Sequence, residues 1–509
     1  MGDLAIALPL RHGHGGQQDS VVDTKAGKWR GRAIGDIHTF KGIRYGADSR
    51  AYRFLPPVSP VPWTGVRDAL EFGPVAPQPS SGGRPISEDC LHLNVWTPGL
   101  RDNAKRPVMV WFHGGAFSSG TSNEIETDGE RLSRRGDVVV VTVNHRLNAF
   151  GYLYLAEFGG PELADSGNVG QLDLILALQW VRDNITQFGG NPDNVTIFGH
   201  SGGGAKSATL MAMPGARGLF HRVATHSGQQ ITASRTTTAT THAKALISAL
   251  ALEPGRVNDL RTIPMEQLVK VSRAPAYLGP VKDGRSLPRD PFDPDAPPQS
   301  ANIPMILGNT KDETRTLIGR SDPALFALTW ETLLPVLEKS SPFMGPLNRA
   351  EVIAAYRRWH PGYSPSDVFF AATTDSRSWR GQVIEADRRA VQGRNTWVFQ
   401  FNWPTPIDGG KWKAHHGLDV PFIFDNAAIT PHAVGVGQDQ LDLAARMSDA
   451  WIAFARTGNP NVKGLPEWPV FDLQRRATMV FDRETRVVND PRGDERRLFG
   501  QVPYVQPGT

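Results

Sequence analysis

Cysteine is almost absent from this sequence, since Cys90 is the only one among 509 residues. A single thiol cannot form an intramolecular disulfide, so we expect a fold that does not depend on an oxidising compartment. No segment is long and apolar enough to predict a membrane span. The short apolar run at residues 4–10 lacks the basic leader of a signal peptide. We therefore expect a cytoplasmic protein, or a secreted or periplasmic one if a leader has been removed.

A strong excess of one charge is also missing. Lysine and arginine together number 55, aspartate and glutamate 51, and the formal net charge is +4. The basic residues form neither a long block nor a stripe interleaved with aromatic side chains, so the sequence does not predict a nucleic-acid partner. With 39% hydrophobic and 21% charged residues, the composition is that of an ordinary globular protein.

The most informative stretch is residues 195–204, Val-Thr-Ile-Phe-Gly-His-Ser-Gly-Gly-Gly. A run with strand character enters the pattern Gly-x-Ser-x-Gly, and residues 205–211 have helical character. A strand, a sharp turn and a helix place Ser201 at the apex, where a base can reach its weakly nucleophilic hydroxyl. Small residues two positions before and after the serine let the strand and the helix approach closely. The pattern predicts that Ser201 is a nucleophile.

Apolar patterns elsewhere indicate the fold. Short β-like runs between residues 21 and 45 predict small antiparallel strands. Continuous apolar runs predict strands buried on both faces at residues 108–112 and 138–143, and residues 303–307 and 397–401 are further strand candidates. Helical spacing predicts helices over residues 171–188 and 441–456. This alternation predicts an α/β fold with a large, mostly parallel central sheet, helices on both of its faces and a small N-terminal antiparallel sheet.

The same reading suggests how the chain is divided. Residues 1–20 are expected to form a loose tail, and residues 21–509 a single domain. Residues 320–395 are rich in helical patterns and less regular than the rest. We expect this segment to form a helical cap over the edge of the sheet.

A glycine-rich loop, His-Gly-Gly-Ala-Phe at residues 113–117, directly follows the predicted strand at 108–112. Acyl transfer builds negative charge on the former carbonyl oxygen, and preorganised backbone N–H groups are the usual means of stabilising it. Alone, such a loop is equally typical of a plain turn. Together with the serine motif, it predicts that Gly115 and Ala116 donate to an oxyanion, with the N–H of Gly202 as a third donor.

An acid and a base complete such a site. Asp312 and Glu313 follow the predicted strand at 303–307, and a carboxylate there could orient a histidine; residue chemistry alone does not choose between the two. His415 and His416 lie in a glycine-bearing loop, and histidine is the usual general base near neutral pH. The order serine, acid, histidine is that of α/β-hydrolases. No cluster with metal-ligand spacing accompanies the histidines, so no metal is predicted.

On these motifs the chain resembles the type-B carboxylesterase family, which includes cholinesterases, bacterial p-nitrobenzyl esterases and some fungal lipases. The resemblance runs from about residue 22 to residue 481. It is carried by Phe-Lys-Gly-Ile at 40–43, Glu-Asp-Cys-Leu-His-Leu-Asn-Val at 88–95, Gly-Asn-Val-Gly-Gln-Leu-Asp at 167–173 and the Trp-Ile-Ala-Phe stretch at 451–460. It implies an α/β-hydrolase fold and a serine carboxylesterase without cofactor or metal, acting on small-molecule esters as a monomer or weak homo-oligomer.

The resemblance also implies roles for single residues. By it, Ser201, Glu313 and His416 form a catalytic triad in which Glu313 is the acid and His416 the base. Ser227 supports this triad without contacting the substrate. Gly115, Ala116 and Gly202 form the oxyanion hole. Most relatives carry Glu before the nucleophile and Ala after it, where this chain has His200 and Gly202. Cholinesterases carry a tryptophan shortly before the Glu-Asp-Cys motif, whereas residues 74–86 contain no aromatic residue. The missing Glu and Trp argue against choline esters.

The natural ester is not determined by these motifs. Phe117, His200 and Lys206 are candidate substrate contacts. Lys206 and His200, with Arg377 or Arg380 from the cap, would favour an ester bearing carboxylates, such as polycarboxylate esters of natural toxins. The alternatives are cations without a role at the site, a lipase for longer acyl chains and, from a different class of function, a non-catalytic binding module of the same fold, which typically loses the serine.

Overall fold

The computed structural model describes residues 18–275, 277–340, 342–393 and 395–506. Its strands, in chain order, are β1 (Gln18–Thr24), β2 (Gly27–Ile34), β3 (Ile37–Arg44), β4 (Val66–Asp68), β5 (His92–Thr97), β6 (Arg106–Phe112), β7 (Val139–Val143), β8 (Gly190–His200), β9 (Arg222–His226), β10 (Ser234–Arg235), β11 (Val281–Lys282), β12 (Met305–Thr310), β13 (Thr396–Phe401), β14 (Ala477–Phe481) and β15 (Arg486–Asn489).

The helices connect these strands and cover them. They are α1 (Glu130–Gly136), α2 (Asn148–Tyr152), α3 (Ala156–Gly159), α4 (Val169–Asn184), α5 (Gly202–Leu210), α6 (Thr236–Ala249), α7 (Met265–Val271), α8 (Thr314–Leu317), α9 (Trp330–Ser340), α10 (Arg349–Trp359), α11 (Pro365–Thr374), α12 (Arg380–Gln392), α13 (Val420–Ile423), α14 (Pro431–Val434), α15 (Gln438–Thr457) and α16 (Gly493–Phe499). In the described parts of the chain, no helix combines the length and apolar character needed to cross a membrane.

One large sheet organises the molecule. Its strand order is β1-β2-β3-β5-β7-β6-β8-β9-β12-β13-β14-β15, with β4 beside β2. The pairs from β7 through β6, β8, β9, β12 and β13 to β14 are parallel, as the long apolar runs predicted. The pairs β1–β2, β2–β3 and β3–β5 are antiparallel, and the short β4 runs parallel to β2. Because β3 pairs with β5, the predicted small N-terminal sheet is continuous with the central one rather than separate.

Side chains along each strand point alternately to the two faces of the sheet, and helices cover both faces. In β6, Val108 and Val110 pack with α4 residues on one face, while Met109 and Trp111 pack with α15 residues on the other. α15 ends at Thr457 because Gly458 takes a left-handed conformation, with φ 83°. α4 is shorter than predicted, since residues 185–188 tighten into a 3₁₀ turn.

Two regions differ from or extend the sequence expectation. The predicted tail overlaps the sheet, since β1 begins at Gln18 and pairs with β2; residues 1–17 lie outside the described residues. The segment 320–395 contains α9 to α12, and several of its side chains share a hydrophobic cluster with Phe499 of α16. A π-helical turn, Asp375–Trp379, separates α11 from α12. It brings part of this segment to the site described next.

Candidate active site

Ser201 occupies the turn between β8 and α5 in a backbone conformation that residues other than glycine rarely adopt, with φ 56° and ψ −125°. Its N–H donates to the carbonyl of His226 (2.7 Å), and its own carbonyl accepts from the N–H of Ala205 (3.0 Å). A Cβ atom on Gly199 would lie 2.4 Å from the carbonyl carbon of Gly203. Gly199 is therefore required for β8 and α5 to meet this closely, as the motif predicted, while a Cβ atom on Gly203 would lie 1.9 Å from the carbonyl oxygen of Phe112 in β6.

The loop after β6 lies against the start of α5. Gly115 and Ala116 both have positive φ, 87° and 51°. In the described structure, neither N–H is paired with an acceptor. A Cβ atom on Gly202 would lie 2.1 Å from the carbonyl oxygen of Ala116, so the loop and the helix N-terminus are in direct contact. This arrangement brings the three predicted oxyanion donors together.

Glu313 and His416 form the central polar pair. The Nδ1 atom of His416 makes a short hydrogen bond with Oε2 of Glu313, which is fully buried. The other carboxylate oxygen accepts from the N–H and the hydroxyl of Thr310, each at 2.9 Å, and from the hydroxyl of Ser227. Burial alone would raise the pKa of Glu313, but the charge of His416 and the hydrogen bonds from His416 and Ser227 outweigh it and lower that pKa.

Asp312, the other acid that the sequence left open, faces elsewhere. Its carboxylate lies 3.4 Å from the guanidinium of Arg315 and accepts from the N–H of Ala414 at the same distance. Neither contact involves a histidine side chain. The structure therefore pairs Glu313, and not Asp312, with the imidazole of His416.

One cavity collects most of the predicted residues. Ala116, Phe117, Ser201, Gly202, Ser227 and His416 line it. Further lining comes from residues that no motif indicated, namely Gln229, Gln230, Tyr277, Leu317, Ser378, Tyr504 and Gln506, and from Arg377. Tyr504 and Gln506 lie near the end of the chain, far from any sequence signature of the site, so no sequence signal could have found them.

His200 is not among the side chains that line the cavity, contrary to its prediction as a substrate contact. Its ring packs against the ring of His416, with centroids 4.3 Å apart, and its Nε2 atom is buried without a hydrogen-bond partner in the described structure. Burial and the nearby His416 lower the pKa of His200 to about 3. The residue therefore packs beside His416 as a neutral ring.

Lys206 and Arg380 are also directed away from the cavity. Lys206 is fully buried, and its Nζ donates to the carbonyl oxygen of His113 at 3.1 Å. Burial lowers the pKa of Lys206 to about 7. Arg380 donates to the carbonyls of Val502 and Pro503 and so holds the C-terminal segment. Of the proposed substrate-contacting cations, only Arg377 reaches the cavity.

A second buried histidine lies behind the site. The Nδ1 atom of His226 is 3.1 Å from Oδ2 of Asp419, and its Nε2 accepts from the indole N–H of Trp451, also at 3.1 Å. Because the indole can only donate, Nδ1 of His226 carries the proton and donates to Asp419. Sequence reasoning missed this network, although Asp419 lies only three positions after His416. It supports the backbone that receives the Ser201 N–H.

Comparison with known proteins places the chain in a family. Residues 18–498 match the model of the carboxylesterase family. The chain belongs to the carboxylesterase family. It is therefore a carboxylic ester hydrolase with an α/β-hydrolase fold, and small-molecule esters are its substrates.

Relatives of this carboxylesterase are similar along nearly their whole length. A para-nitrobenzyl esterase of Bacillus subtilis is 35% identical over 94% of this chain and 98% of its own. A phenmedipham hydrolase of Pseudarthrobacter oxydans is 33% identical, covering 91% and 95%. Among solved structures, a carboxylesterase of Geobacillus stearothermophilus is 37% identical with a TM-score of 0.83, covering 94% of this chain and 99% of its own.

Proposed function

We propose that this carboxylesterase cleaves esters through an acyl-enzyme intermediate on Ser201. The observation that carries the proposal is the hydrogen bond between buried Glu313 and His416 beside the cavity that Ser201 lines. A carboxylate on Nδ1 fixes the histidine tautomer, which leaves Nε2 unprotonated to act as the base. Ser227, whose hydroxyl donates to Glu313, helps to hold that carboxylate in place.

The steps follow from these roles. His416 accepts the proton of the Ser201 hydroxyl as the oxygen attacks the ester carbonyl. The N–H groups of Gly115, Ala116 and Gly202 stabilise the negative charge on the tetrahedral intermediate. His416 then protonates the leaving alcohol. Water, deprotonated by the same histidine, attacks the acyl-enzyme and releases the acid.

The test is hydrolysis of p-nitrophenyl butyrate by the wild type and by Ser201→Ala, with fluorophosphonate labelling of both. We expect the substitution to lower turnover by about a millionfold and to abolish labelling. Ser207→Ala is a matched control, because that serine lies on the same helix and donates to the carbonyl of Gly203. Retained turnover in Ser201→Ala, or a label on another residue, would refute the proposal.

We further propose that the preferred ester carries a carboxylate group, as in polycarboxylate esters of toxins. The sequence supported this substrate class with Lys206, His200 and Arg380 as well, but these three residues do not line the cavity. A cation does line it, namely Arg377. The first measurement compares kcat/KM of the wild type for carboxylate-bearing and neutral esters of equal length. Equal values would contradict this substrate class.

A further inference from the structure

Arg377 lines the same cavity as Ser201 and His416. Its Nη1 donates to the hydroxyl of Ser378 at 3.2 Å, and its guanidinium lies 5.8 Å from the centre of the Phe343 ring. Among the residues that the structure describes, Arg377 forms no salt bridge, although the charge of Glu313 acts on it at longer range. The guanidinium thus faces the cavity with most of its donors available.

Several buried arginines of this protein have a carboxylate partner. Arg146 forms an ion pair with Asp173 at 2.6 Å, and Arg492 with Asp375 at 2.5 Å. Arg53 is paired with Glu88. Removing a guanidinium from water without compensation is costly, so the buried Arg380 and Arg389, which lack a carboxylate partner, donate to backbone carbonyls instead. In the described structure Arg377 has neither kind of partner, and burial lowers its pKa.

The backbone presents Arg377 through an irregular turn. Residues Asp375–Trp379 form the π-helical turn between α11 and α12, and turns of this kind occur frequently at functional sites. Asp375 anchors the turn, because its carboxylate binds the hydroxyl of Tyr356 and the guanidinium of Arg492, each at 2.5 Å. The position of Arg377 is therefore held by a buried, charged contact on the opposite side of the turn.

The wall beside Arg377 is also fixed. The C-terminal segment that carries Tyr504 is held by Arg380, whose guanidinium donates to the carbonyl of Pro503 at 3.1 Å. Gln506 accepts from the N–H of Ile231 at 2.7 Å and donates to the carbonyl of Gln229 at 3.1 Å. A ligand group entering here would meet a cation whose surroundings are already in place.

We propose that Arg377 anchors a carboxylate-binding subsite, which holds a carboxylate of the substrate while the ester carbonyl is at Ser201. The inference rests on the proposed function, since it uses the same cavity. A guanidinium suits this task because its planar N–H groups bind both oxygens of a carboxylate. The carboxylate can belong to the acyl part or to the alcohol part of the ester, and two substrate pairs distinguish these.

For the acyl part, the pair is p-nitrophenyl hydrogen adipate and p-nitrophenyl hexanoate, in which a carboxylate replaces the terminal methyl group. For the alcohol part, the pair is 4-carboxyphenyl acetate and 4-methylphenyl acetate. In at least one pair, we expect Arg377→Met to lower kcat/KM for the charged ester by about 10- to 100-fold, chiefly through KM. The neutral partner should change by less than about twofold, and Arg377→Lys should recover part of the loss.

Arg320→Met is the matched control, because it removes one positive charge from an exposed side chain. In both substrate pairs, this variant should leave unchanged the ratio of kcat/KM for the charged ester to kcat/KM for the neutral one. An equal loss for charged and neutral esters in Arg377→Met would indicate a purely structural role and overturn the inference. Unchanged ratios in both pairs would overturn it as well. Either result leaves the Ser201 proposal intact, which fails only if Ser201→Ala still turns over or the label falls elsewhere.

Discussion

Lys206 is joined to the loop of residues 113–117 by one hydrogen bond, from its buried Nζ to the carbonyl oxygen of His113 at 3.1 Å. His113 is the first residue of this loop, which also carries Gly115 and Ala116. Lys206 itself lies in α5, whose first N–H belongs to Gly202. The contact thus connects the two parts of the structure that supply the proposed donors, and it uses an amine held in an apolar environment.

This amine should make stability depend on pH. The pKa of Lys206 is about 7 in the folded protein against 10.5 for an ordinary lysine, so between these values the unfolded chain binds more protons. Stability therefore rises with pH across this window, by up to about 1.4 kcal/mol per pH unit from this group. In Lys206→Met that contribution is absent. Denaturant unfolding at pH 7, 8 and 9 measures the difference between the proteins.

The variant also leaves the His113 carbonyl without its donor, which adds a constant cost of about 1–3 kcal/mol at every pH. The informative quantity is therefore the slope with pH and not the offset. Lys244→Met, at an exposed position of α6, should retain the wild-type slope. Parallel wild-type and Lys206→Met curves would show that the buried amine is not the cause.

Replacing the carboxylate that contacts His416 should have a large effect on turnover. In Glu313→Gln, the neutral amide can neither stabilise the protonated imidazole nor impose its tautomer. We expect kcat to fall by about 10³- to 10⁴-fold. Asp312→Asn is the neighbouring control, and its kcat should fall by less than about tenfold. A reversed order of the two variants, measured with p-nitrophenyl butyrate, would assign the acid to Asp312.

Gly202 should not tolerate alanine, although most relatives carry it at that position. The added Cβ would lie 2.1 Å from the carbonyl oxygen of Ala116, and a backbone atom cannot rotate away. The loop must shift, and displaced oxyanion donors should lower kcat by about 10- to 100-fold with a smaller change in KM. Gly362→Ala, where a Cβ meets nothing within 4 Å, should be silent. Wild-type kcat in Gly202→Ala would disprove this account of the contact.

His200 should set the position of the acid limb of the pH profile. Its ring is neutral beside His416 because burial lowers the pKa of His200 to about 3. In His200→Glu, a negative charge would stabilise the protonated form of His416. The acid limb of kcat/KM should then move up by about one pH unit. His200→Gln, which adds no charge, should leave the limb in place, and an equal shift in both variants would exclude the electrostatic explanation.

Local patterns predicted much of the fold and part of the site. The parallel strands follow from apolar runs such as that of β6, because a strand covered on both faces needs apolar residues at every position. The Ser201 turn follows from glycines two positions away on either side, since their effect is confined to adjacent backbone. Local patterns did not suffice to predict the acid that contacts His416. Residue chemistry did not choose between Asp312 and Glu313, and only the family resemblance favoured Glu313.

Arg377 and Lys206 show where the sequence was insufficient. Arg377 and Arg380 are three positions apart and would share one face of a regular α-helix. The intervening π-helical turn alters that spacing, so one side chain reaches the cavity and the other holds the C-terminal segment. For Lys206, every residue of α5 is buried, so a helical pattern could not show which side faces the site.

The sequence by itself determined the family, the central sheet and the Ser201 turn, because these depend on residues that are adjacent in the chain or repeat with a fixed period. Only the tertiary structure decided which cation meets the cavity, which carboxylate meets His416 and what Lys206 contacts. Those outcomes depend on segments about a hundred residues apart in the chain, such as Arg377 and the C-terminal segment around Tyr504. Their relative positions are set by packing, which no local pattern encodes.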